Sequence, residues 1–392
     1  MLSSIDGTGP PSRGAAARPL RVALDLRIYG RRGIGRYNEA LYRGLIERSE
    51  RVSLAAFGPP LAPLGRTGTR LRAPGYVIQE QVEFPLRLAR ERYDVVHFTA
   101  NTAPLIRKWS TPSVVTVHDI MYLRSLRRLP LSPSTRQTLG RAYRFVDFHW
   151  ATRHCDHIIC VSHYTASELR RRFGSGLPPI SVVHSGVDPA FSRPLSVPEL
   201  ERALEPLGLL RAQYFLHPGA IDPRKNTSVV LEAFRRYRAR GGTLSLGVIG
   251  LSAEADAFFR HRMPEAHTSV HLLPFVPNET VVALVQAARA VVFVPAEEGF
   301  GYPLVEALAA GTPAVVSDIE VLRELSNGAA REVPPGAPEP LAAAMASFDA
   351  LDPNVEELCR RGRERAQHFS ISNMADKTID VYEATAAAAR RR

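Results

Sequence analysis

The sequence predicts an α/β protein of two domains, each a parallel sheet with helices on both faces. The first observation is size: 392 residues, 45% of them hydrophobic, are enough for two domains that each bury a core. The second is pattern, because short runs rich in valine, isoleucine and leucine alternate with helical segments along both halves. Strands that alternate with helices are typical of βαβ units and of a parallel sheet.

The first half contains six predicted strands. The first strand, at residues 21–28, leads into a glycine-containing loop and a helix over 38–48, and another helix is predicted around 164–173. The remaining strands are predicted at 52–57, 94–98, 113–118, 157–162 and 180–184. Together these elements predict one Rossmann-like domain.

A proline-rich stretch separates this domain from a second one. Residues 188–209 hold four prolines and mixed helical sequence, which is typical of an interdomain connection. The pattern then restarts, with strands at 214–218, 244–250, 270–273, 290–294 and 314–317 and helices at 227–240, 280–288 and 304–310. Open parallel sheets bind ligands outside the carboxyl ends of their strands, so two such domains facing each other form a deep ligand cleft.

Residue composition limits the class of protein. The three cysteines, Cys155, Cys160 and Cys359, are an odd number, which argues against a disulfide framework and favours a reducing compartment. The first 18 residues lack the apolar core of a signal peptide, and no run of 18 apolar residues occurs. We therefore expect a soluble, cytoplasmic protein.

Positive charge is concentrated in the first half of the chain. Residues 1–200 carry 29 Arg and Lys against 15 Asp and Glu, whereas residues 201–392 carry 21 against 24. The first half is therefore expected to face an anionic partner, which is a phosphate-bearing ligand, a membrane surface or nucleic acid. Because no RRM, KH or helix-turn-helix pattern is present, nucleic acid is not the expected partner.

The most informative stretch is residues 295–313, PAEEGFGYPLVEALAAGTP. A predicted strand runs into a loop containing Glu298 and Gly301, and a helix begins at about Pro303, a residue suited to the first helical turn. The free N–H groups and the dipole at a helix start favour a phosphate. Glu306, in the first turn, and Glu298, in the loop, can both point into the cleft. The alternative is a solvated capping glutamate, which the flanking glycines make the weaker interpretation.

A second candidate element is residues 217–226, HPGAIDPRKN, at the end of the second domain's first strand. Gly219 allows a tight exit from the strand, and Arg224 and Lys225 stand just before the next helix. A guanidinium and an ammonium side by side can clamp a pyrophosphate. The alternative is a solvated basic loop, but Lys225 is one of only three lysines, beside 47 arginines, and this favours the ligand site.

Two further candidates follow strands of the first domain. Residues 30–36, GRRGIGR, contain G-x-G, but Asn38 occupies the place of the last glycine in G-x-G-x-x-G. This argues against a nicotinamide-dependent oxidoreductase. We expect a flexible loop in which Gly33 and Gly35 let a diphosphate approach the backbone. His118 ends a strand that faces the cleft, where it serves a ligand or is structural.

No metal is expected. Six histidines and cysteines lie within residues 149–163, but their spacing fits no common zinc pattern. A D-x-D motif is also absent from the sequence, which is consistent with cationic side chains in place of a divalent ion.

These motifs together resemble glycosyltransferase family 4. The matching elements are the block from Glu298 to Glu306, the PRKN element, the GIGRY loop, and VTVHD followed by HIICVSHYTASEL, in the family's order over about residues 20–385. The resemblance implies the GT-B fold, α/β with two facing Rossmann-like domains and a deep interdomain cleft. The segment FSISNMADKTIDVYEA looks like the family's terminal helix, which crosses back to the first domain.

The resemblance sets the expected domain organisation. It implies a tail at 1–18, an acceptor-side domain at 19–190, a linker at 191–210, a nucleotide-sugar domain at 211–368, and a crossover helix with a tail at 369–392.

It also implies roles for residues at the donor phosphates. Arg224 and Lys225 would hold the diphosphate, and Gly33 and Gly35 would close over it. The helix start at Tyr302–Leu304 would stabilise the charge of the departing phosphate.

Further roles are implied at the ribose and the sugar. Glu306 would hydrogen-bond the ribose, and Glu298 with the backbone of Phe300 and Gly301 would hold the sugar hydroxyls. His118 would lie beside the sugar, near the anomeric carbon.

The implied reaction is retaining, metal-independent transfer of a sugar from a nucleoside diphosphate sugar, such as GDP-mannose, to a glycan or lipid-linked acceptor. Two positions depart from the family pattern: Ala220 stands where many members have arginine, and Ala296 where a serine is common. A glycosyl phosphorylase or a sugar-phosphate transferase of the same fold is left open, with a non-enzymatic nucleic-acid-binding protein as the remoter alternative.

The positive first half also suggests a membrane contact. Residues 124–150 contain several arginines beside apolar residues, namely Arg124, Arg127, Arg128, Arg136, Arg141, Arg144, Leu126, Leu129, Phe145 and Trp150. Such a segment can attract an anionic membrane by about 1 kcal/mol per arginine. The alternative is a solvated, arginine-rich face.

Overall fold

The protein contains two parallel sheets, one in each half of the chain. The computed structural model describes residues 18–30, 32–58, 68–71, 73, 75–106, 110–120, 135–262, 269–350 and 353–392. The first-domain strands are β1 Leu20–Asp25, β2 Val52–Gly58, β3 Gly68–Arg70, β4 Val95–Phe98, β5 Ser113–Val117, β6 His157–Cys160 and β7 Ile180–Val182. The second-domain strands are β8 Tyr214–Pro218, β9 Ser245–Leu251, β10 Val270–Pro274, β11 Ala290–Phe293, β12 Ala314–Ser317 and β13 Arg331–Val333.

Helices connect the strands and cover the sheets. Those of the first half are α1 Arg32–Ile46, α2 Tyr76–Ile78, a π-helical segment Gln79–Glu83, α3 Phe84–Leu88, α4 Thr135–His154 and α5 His163–Phe173. The connecting segment contains α6 Val197–Leu204, and the second half contains α7 Thr227–Ala239, α8 Ala253–Arg262, α9 Asn278–Ala287, α10 Tyr302–Ala310, α11 Glu320–Ser326, α12 Pro338–Asp349, α13 Val355–Ala366 and α14 Ile371–Arg390.

The strand order places a ligand crevice in each domain. The first sheet has the order β3-β2-β1-β4-β5-β6-β7 and the second β10-β9-β8-β11-β12-β13. The direction of winding therefore reverses between β1 and β4, and again between β8 and β11. Ligands of open α/β sheets bind at such reversal points, outside the carboxyl ends of the strands.

The central strands are buried because helices cover both faces. Every residue of β5, β11 and β12 is buried, and their sequences are near-continuous runs of valine, as expected for strands without a solvent face. One hydrophobic cluster extends through both domains by way of Val187, Phe191 and Phe369.

Helix α14 returns to the first domain, as predicted. Arg48, in the turn after α1, donates to Asp376 (Nε to Oδ1, 2.5 Å), and Nδ1 of His97 on β4 lies 2.6 Å from the Tyr382 hydroxyl. At Gly44 a Cβ atom would lie 2.8 Å from the Cβ of Ala375. The missing side chain therefore lets α1 and α14 pack closely.

The glycine-rich segment after β1 differs from the prediction. Helix α1 begins at Arg32, so Gly33 and Gly35 lie in its first turn and not in a flexible loop. A Cβ at Gly35 would lie 2.8 Å from the backbone of Gly30. The absence of a side chain lets this turn fold against the exit of β1, and this tertiary contact outweighs the low helix propensity of glycine.

The short strands β3 and β13 were not predicted. β3 and β13 are three-residue edge strands, too short to show an apolar pattern. Helix α6 lies within the segment predicted as a linker, and it packs on α9. Gln286 of α9 also donates through Nε2 to the carbonyl oxygens of Arg193 (2.8 Å) and Phe191 (3.1 Å), so this connection is tied to the second domain.

Candidate active site

The predicted site residues gather at the carboxyl ends of β1 and β5 in the first domain and of β8 and β11 in the second, and of these strands β1, β8 and β11 flank the reversal points. Gly33 and Gly35 follow β1 and His118 follows β5 in the first domain, whereas Arg224 and Lys225 follow β8 in the second. The predicted residues Glu298, Phe300 and Gly301 follow β11, and Tyr302, Leu304 and Glu306 lie in α10.

The loop after β8 is shaped by its own side chains. At Gly219 a Cβ atom would lie 2.4 Å from the Val248 side chain, so the strand exit requires glycine. The Asp222 carboxylate accepts from the backbone N–H of Arg224 (3.0 Å) and from its guanidinium (Nη2 to Oδ2, 2.5 Å). The guanidinium of Arg224 is therefore held by its own loop.

Lys225 points to the neighbouring loop instead. Its Nζ donates to Oε2 of Glu298 at 2.6 Å, and the backbone N–H of Ala296 donates to the Arg224 carbonyl at 2.7 Å. The loops after β8 and β11 are thus joined, and two residues predicted to hold different parts of one ligand form an ion pair.

Glycine and buried apolar side chains shape the start of α10. Gly301 precedes the helix with φ of 125°, and a Cβ there would lie 2.8 Å from the Leu322 side chain, so glycine is required. The side chains of Phe300 and Leu304 are buried. The Leu304 N–H already donates to the Gly301 carbonyl (3.0 Å), so it is not available to a ligand as the sequence interpretation assumed.

The two domains meet at Gly299. Its carbonyl oxygen accepts from the hydroxyls of Ser162 (2.8 Å) and Thr165 (3.2 Å) at the start of α5. A Cβ at Gly299 would lie only 1.9 Å from the carbonyl oxygen of His118. No larger residue fits, and the loop carrying Glu298 is consequently held against the end of β5.

His118 is half-buried. Its backbone N–H donates to Oδ1 of Asn101 (2.6 Å), and its ring Nε2 lies 2.7 Å from the carbonyl oxygen of Thr99. Burial lowers the pKa of His118 to about 4. Because a carbonyl oxygen only accepts, Nε2 carries the proton and Nδ1 is the acceptor nitrogen. The edge of the Tyr37 ring packs against the imidazole, with centroids 4.6 Å apart.

Glu306 is buried, with 4% of its surface exposed, and it is paired across the cleft. Nη1 of Arg36, in the second turn of α1, donates to its Oε1. Burial raises the pKa of Glu306, whereas the charge and hydrogen bond of Arg36 oppose that rise. The pairing of an α1 arginine with Glu306 had no signal in the sequence beyond the position of Arg36 in the GIGRY segment.

A pocket of about 460 Å³ lies beside this pair. It is lined by both domains and the connection between them, with polar residues Arg36, Glu39, Arg43, Asp188, Asn278, Glu279, Tyr302 and Glu306. Most of these lie outside the motifs singled out from the sequence, because they come from separate helices and from the connection.

A second interdomain contact involves Glu324 of α11. Its carboxylate accepts from the backbone N–H groups of His163 (2.8 Å) and Tyr164 (2.9 Å) and lies 2.8 Å from Nε2 of His184. Burial acts to raise the pKa of Glu324, but these hydrogen bonds lower it overall. Both carboxylate oxygens are occupied, so the cluster acts as a docking contact between the domains.

Both halves of the chain match models of known families. Residues 31–191 match the model described as Glycosyltransferase Family 4, and residues 207–369 match the model described as Glycosyl transferases group 1. The chain belongs to glycosyltransferase family 4, as the sequence motifs indicated.

Two similar proteins are mannosyltransferases by name. The chain is 28% identical over 211 residues to the serotype-specific mannosyltransferase WbdA of Escherichia coli, a match that covers 50% of this chain and 26% of that protein. It is 28% identical over 321 residues to the MMP alpha-(1->4)-mannosyltransferase of Mycolicibacterium hassiacum, covering 78% of this chain and 75% of that one. The chain thus spans only about a quarter of the length of WbdA.

The fold is also that of solved glycosyltransferase structures. HepE from Anabaena, in complex with UDP and glucose, superposes with a TM-score of 0.72 at 17% identity, over 93% of this chain and 99% of that chain. The GT-B fold predicted from the sequence is confirmed.

Proposed function

We propose that the protein is a retaining glycosyltransferase that transfers a sugar from a nucleoside diphosphate sugar without a metal ion. One observation carries the proposal: the pairs Lys225–Glu298 and Arg36–Glu306 lie at the facing strand ends of the two domains. Cations suited to phosphates and carboxylates suited to sugar hydroxyls therefore surround one cleft. Membership of family 4 supports the same reaction.

The ion pairs suit a site in which groups of the donor replace contacts between the protein's own charged side chains. A diphosphate competes for Lys225 and Arg224, because each phosphate offers oxygens that accept charge-assisted hydrogen bonds. Glu298 is then released from Lys225 and accepts from sugar hydroxyls, while Glu306 accepts from the ribose. Before the donor binds, each of these charges has a partner, which avoids the large cost of an unpaired charge in a partly buried site.

Catalysis then depends on stabilising the leaving group. As the bond to the anomeric carbon breaks, negative charge grows on the β-phosphate, and the cations of Arg224 and Lys225 are in place to stabilise it. In this proposal they supply the charge that a divalent metal supplies elsewhere. The neutral imidazole of His118 offers Nδ1 to a sugar hydroxyl, and Gly299 keeps that ring close to Glu298.

The donor and acceptor are proposed from the relatives. WbdA and the Mycolicibacterium enzyme are named as mannosyltransferases, which supports GDP-mannose as the first donor to test. The chain's place among these relatives supports a glycan or lipid-linked acceptor.

We also propose peripheral contact with the inner face of an anionic membrane. No helix in the described part of the chain is long and apolar enough to cross a membrane. Most of the predicted segment 124–150 lies outside the described residues or has undescribed side chains, but the end of α4 exposes Phe145, Val146 and Trp150. Arg153, also exposed, lies near them on the same helix and can attract lipid phosphates.

The role of Lys225 at the diphosphate is tested with the variant Lys225→Ala. The assay measures release of nucleoside diphosphate from GDP-mannose, or from whichever nucleotide sugar stabilises the protein most against unfolding. Loss of one preorganised charge is expected to lower kcat by about 10²–10³-fold. The exposed Lys377 of α14 supplies the matched control, Lys377→Ala, which should keep full activity. Normal turnover by Lys225→Ala, or release of a sugar phosphate by the wild type, contradicts the proposal.

Metal independence is tested by turnover in excess EDTA. Because Arg224 and Lys225 carry the leaving-group charge in this proposal, activity should stay within about twofold of the untreated enzyme, a change of well under 1.4 kcal/mol in the barrier. Loss of turnover that only an added divalent ion restores would refute this part of the proposal.

Membrane contact is tested by flotation with vesicles of phosphatidylglycerol and of phosphatidylcholine. We expect binding to the anionic vesicles only, falling as salt rises because screening weakens the attraction. Trp150→Glu should weaken it further by placing a like charge on the exposed end of α4. Equal, salt-insensitive behaviour with both vesicles would refute the contact and leave the transferase proposal standing.

A further inference from the structure

We propose that Arg36, which belongs to the first domain, is a positioning residue of the donor pocket that prepares the Glu306 carboxylate for the ribose of the nucleotide. This inference rests on the proposed function, in which Glu306 binds the ribose. Arg36 lies in the first domain, whereas Glu306, the group proposed to bind the ribose, lies in the second domain.

The geometry places the two charged groups in one wall of the pocket. Arg36 lies in the second turn of α1, and Nη1 donates to Oε1 of Glu306 on α10. The arginine side chain is 39% exposed and the glutamate side chain 6%. Oε1 of Glu306 therefore accepts from the arginine, whereas the other carboxylate oxygen, Oε2, has no hydrogen bond to any of the described residues. Because Glu306 lines the pocket, Oε2 is the atom that can accept from ribose hydroxyls.

The environment shows why Glu306 needs this partner. Burial raises the pKa of Glu306, and Arg36 is the group that counteracts it, while the negative charge of Asp188 raises the pKa further. A protonated carboxyl has lost the charge that makes it a strong acceptor, so without Arg36 the pocket would bind ribose hydroxyls more weakly at neutral pH.

The other charged and titratable groups around the pocket do not replace Arg36. Glu39 and Arg43 lie on α1, Glu279 on α9 and Tyr302 on Glu306's own helix. Arg43 is the other cation, but its Nη1 lies 3.7 Å from Asp188. In the described part of the chain, Arg36 is the cation that contacts Glu306.

Because Arg36 and Glu306 come from different domains, nucleotide binding depends on how the two domains are docked. Arg36 is held by the same helix that packs on α14 and that carries Tyr37 against His118. Full affinity for the nucleotide thus requires the first domain to be docked as it is here, and donor binding in turn favours the docked arrangement.

The inference is tested by Arg36→Gln, with nucleoside diphosphate binding measured by calorimetry between pH 5.5 and 9. The probe is whichever of GDP and UDP binds the wild type. The binding-competent form of Glu306 is ionised, so affinity falls as pH drops through its pKa. Removing Arg36 raises that pKa, so the fall should begin at higher pH in the variant. Affinity at pH 7 should therefore be lower in the variant, by roughly tenfold, which corresponds to about 1.4 kcal/mol. Arg36→Lys should restore much of the affinity and return the midpoint toward the wild type.

Two controls isolate the ribose. Lys377→Gln removes an equal charge from an exposed position of α14 that does not line the pocket, and it should leave the pH midpoint unchanged. A 2′,3′-dideoxy nucleoside diphosphate lacks the hydroxyls, so the wild type and Arg36→Gln should bind it with the same pH dependence.

The outcomes separate the inference from the proposed function. If Glu306→Gln leaves affinity for the ordinary nucleotide unchanged, the ribose role of Glu306 is wrong. If Glu306→Gln weakens binding while Arg36→Gln does not, or does so equally at every pH, the role of Arg36 is wrong and that of Glu306 stands. Equal pH shifts with the ordinary and the dideoxy nucleotide would likewise overturn the inference.

Discussion

The arrangement of the whole cleft depends on the backbone contact between Gly299 and the end of β5. At this point the two domains approach so closely that a Cβ atom on Gly299 would lie 1.9 Å from the His118 carbonyl oxygen. Hydroxyls of Ser162 and Thr165 hold the same peptide from the first domain. The position of Glu298 relative to His118 is therefore set by atoms that cannot be moved apart without losing hydrogen bonds between the domains.

Charge pairing explains how the site remains stable without a donor. Carboxylates and cations that serve one ligand are mutually neutralised, Glu298 by Lys225 and Glu306 by Arg36. Each of these charges therefore has a partner and is not left unpaired in a partly buried site, which would be costly. Of the two cations, Arg36 is the more important partner, because Glu306 is buried and an unpaired buried carboxylate tends to take up a proton.

The central strands of both sheets could be predicted because their burial leaves a pattern in the local sequence. Strands buried on both faces, such as β5 and β11, appear in the sequence as runs of valine, and the block containing Glu298 and Glu306 is specific enough to indicate the family. Edge strands of three residues carry no such signal. Helix α1 was placed too late in the chain because its first turn contains two glycines, whose low helix propensity is offset by packing that only the folded chain provides.

Contacts between the domains could not be derived from the sequence. Arg36 is one of 47 arginines, and only the approach of α1 to α10 distinguishes it from the rest. The same holds for Glu324, whose partners His163 and His184 are far from it in the chain. Motifs thus indicated the groups that we propose for the donor phosphates, and the fold was needed to identify what holds those groups in place.

The most direct test of this account is a crystal structure of the protein with a nucleoside diphosphate. We expect the nucleotide between the carboxyl ends of β8 and β11 and the start of α1, with the ribose at Glu306. The Nζ of Lys225, which donates to Glu298 at 2.6 Å here, should have left that carboxylate and should donate to a phosphate oxygen. A nucleotide bound outside this cleft, with the Lys225–Glu298 pair intact, would contradict the account.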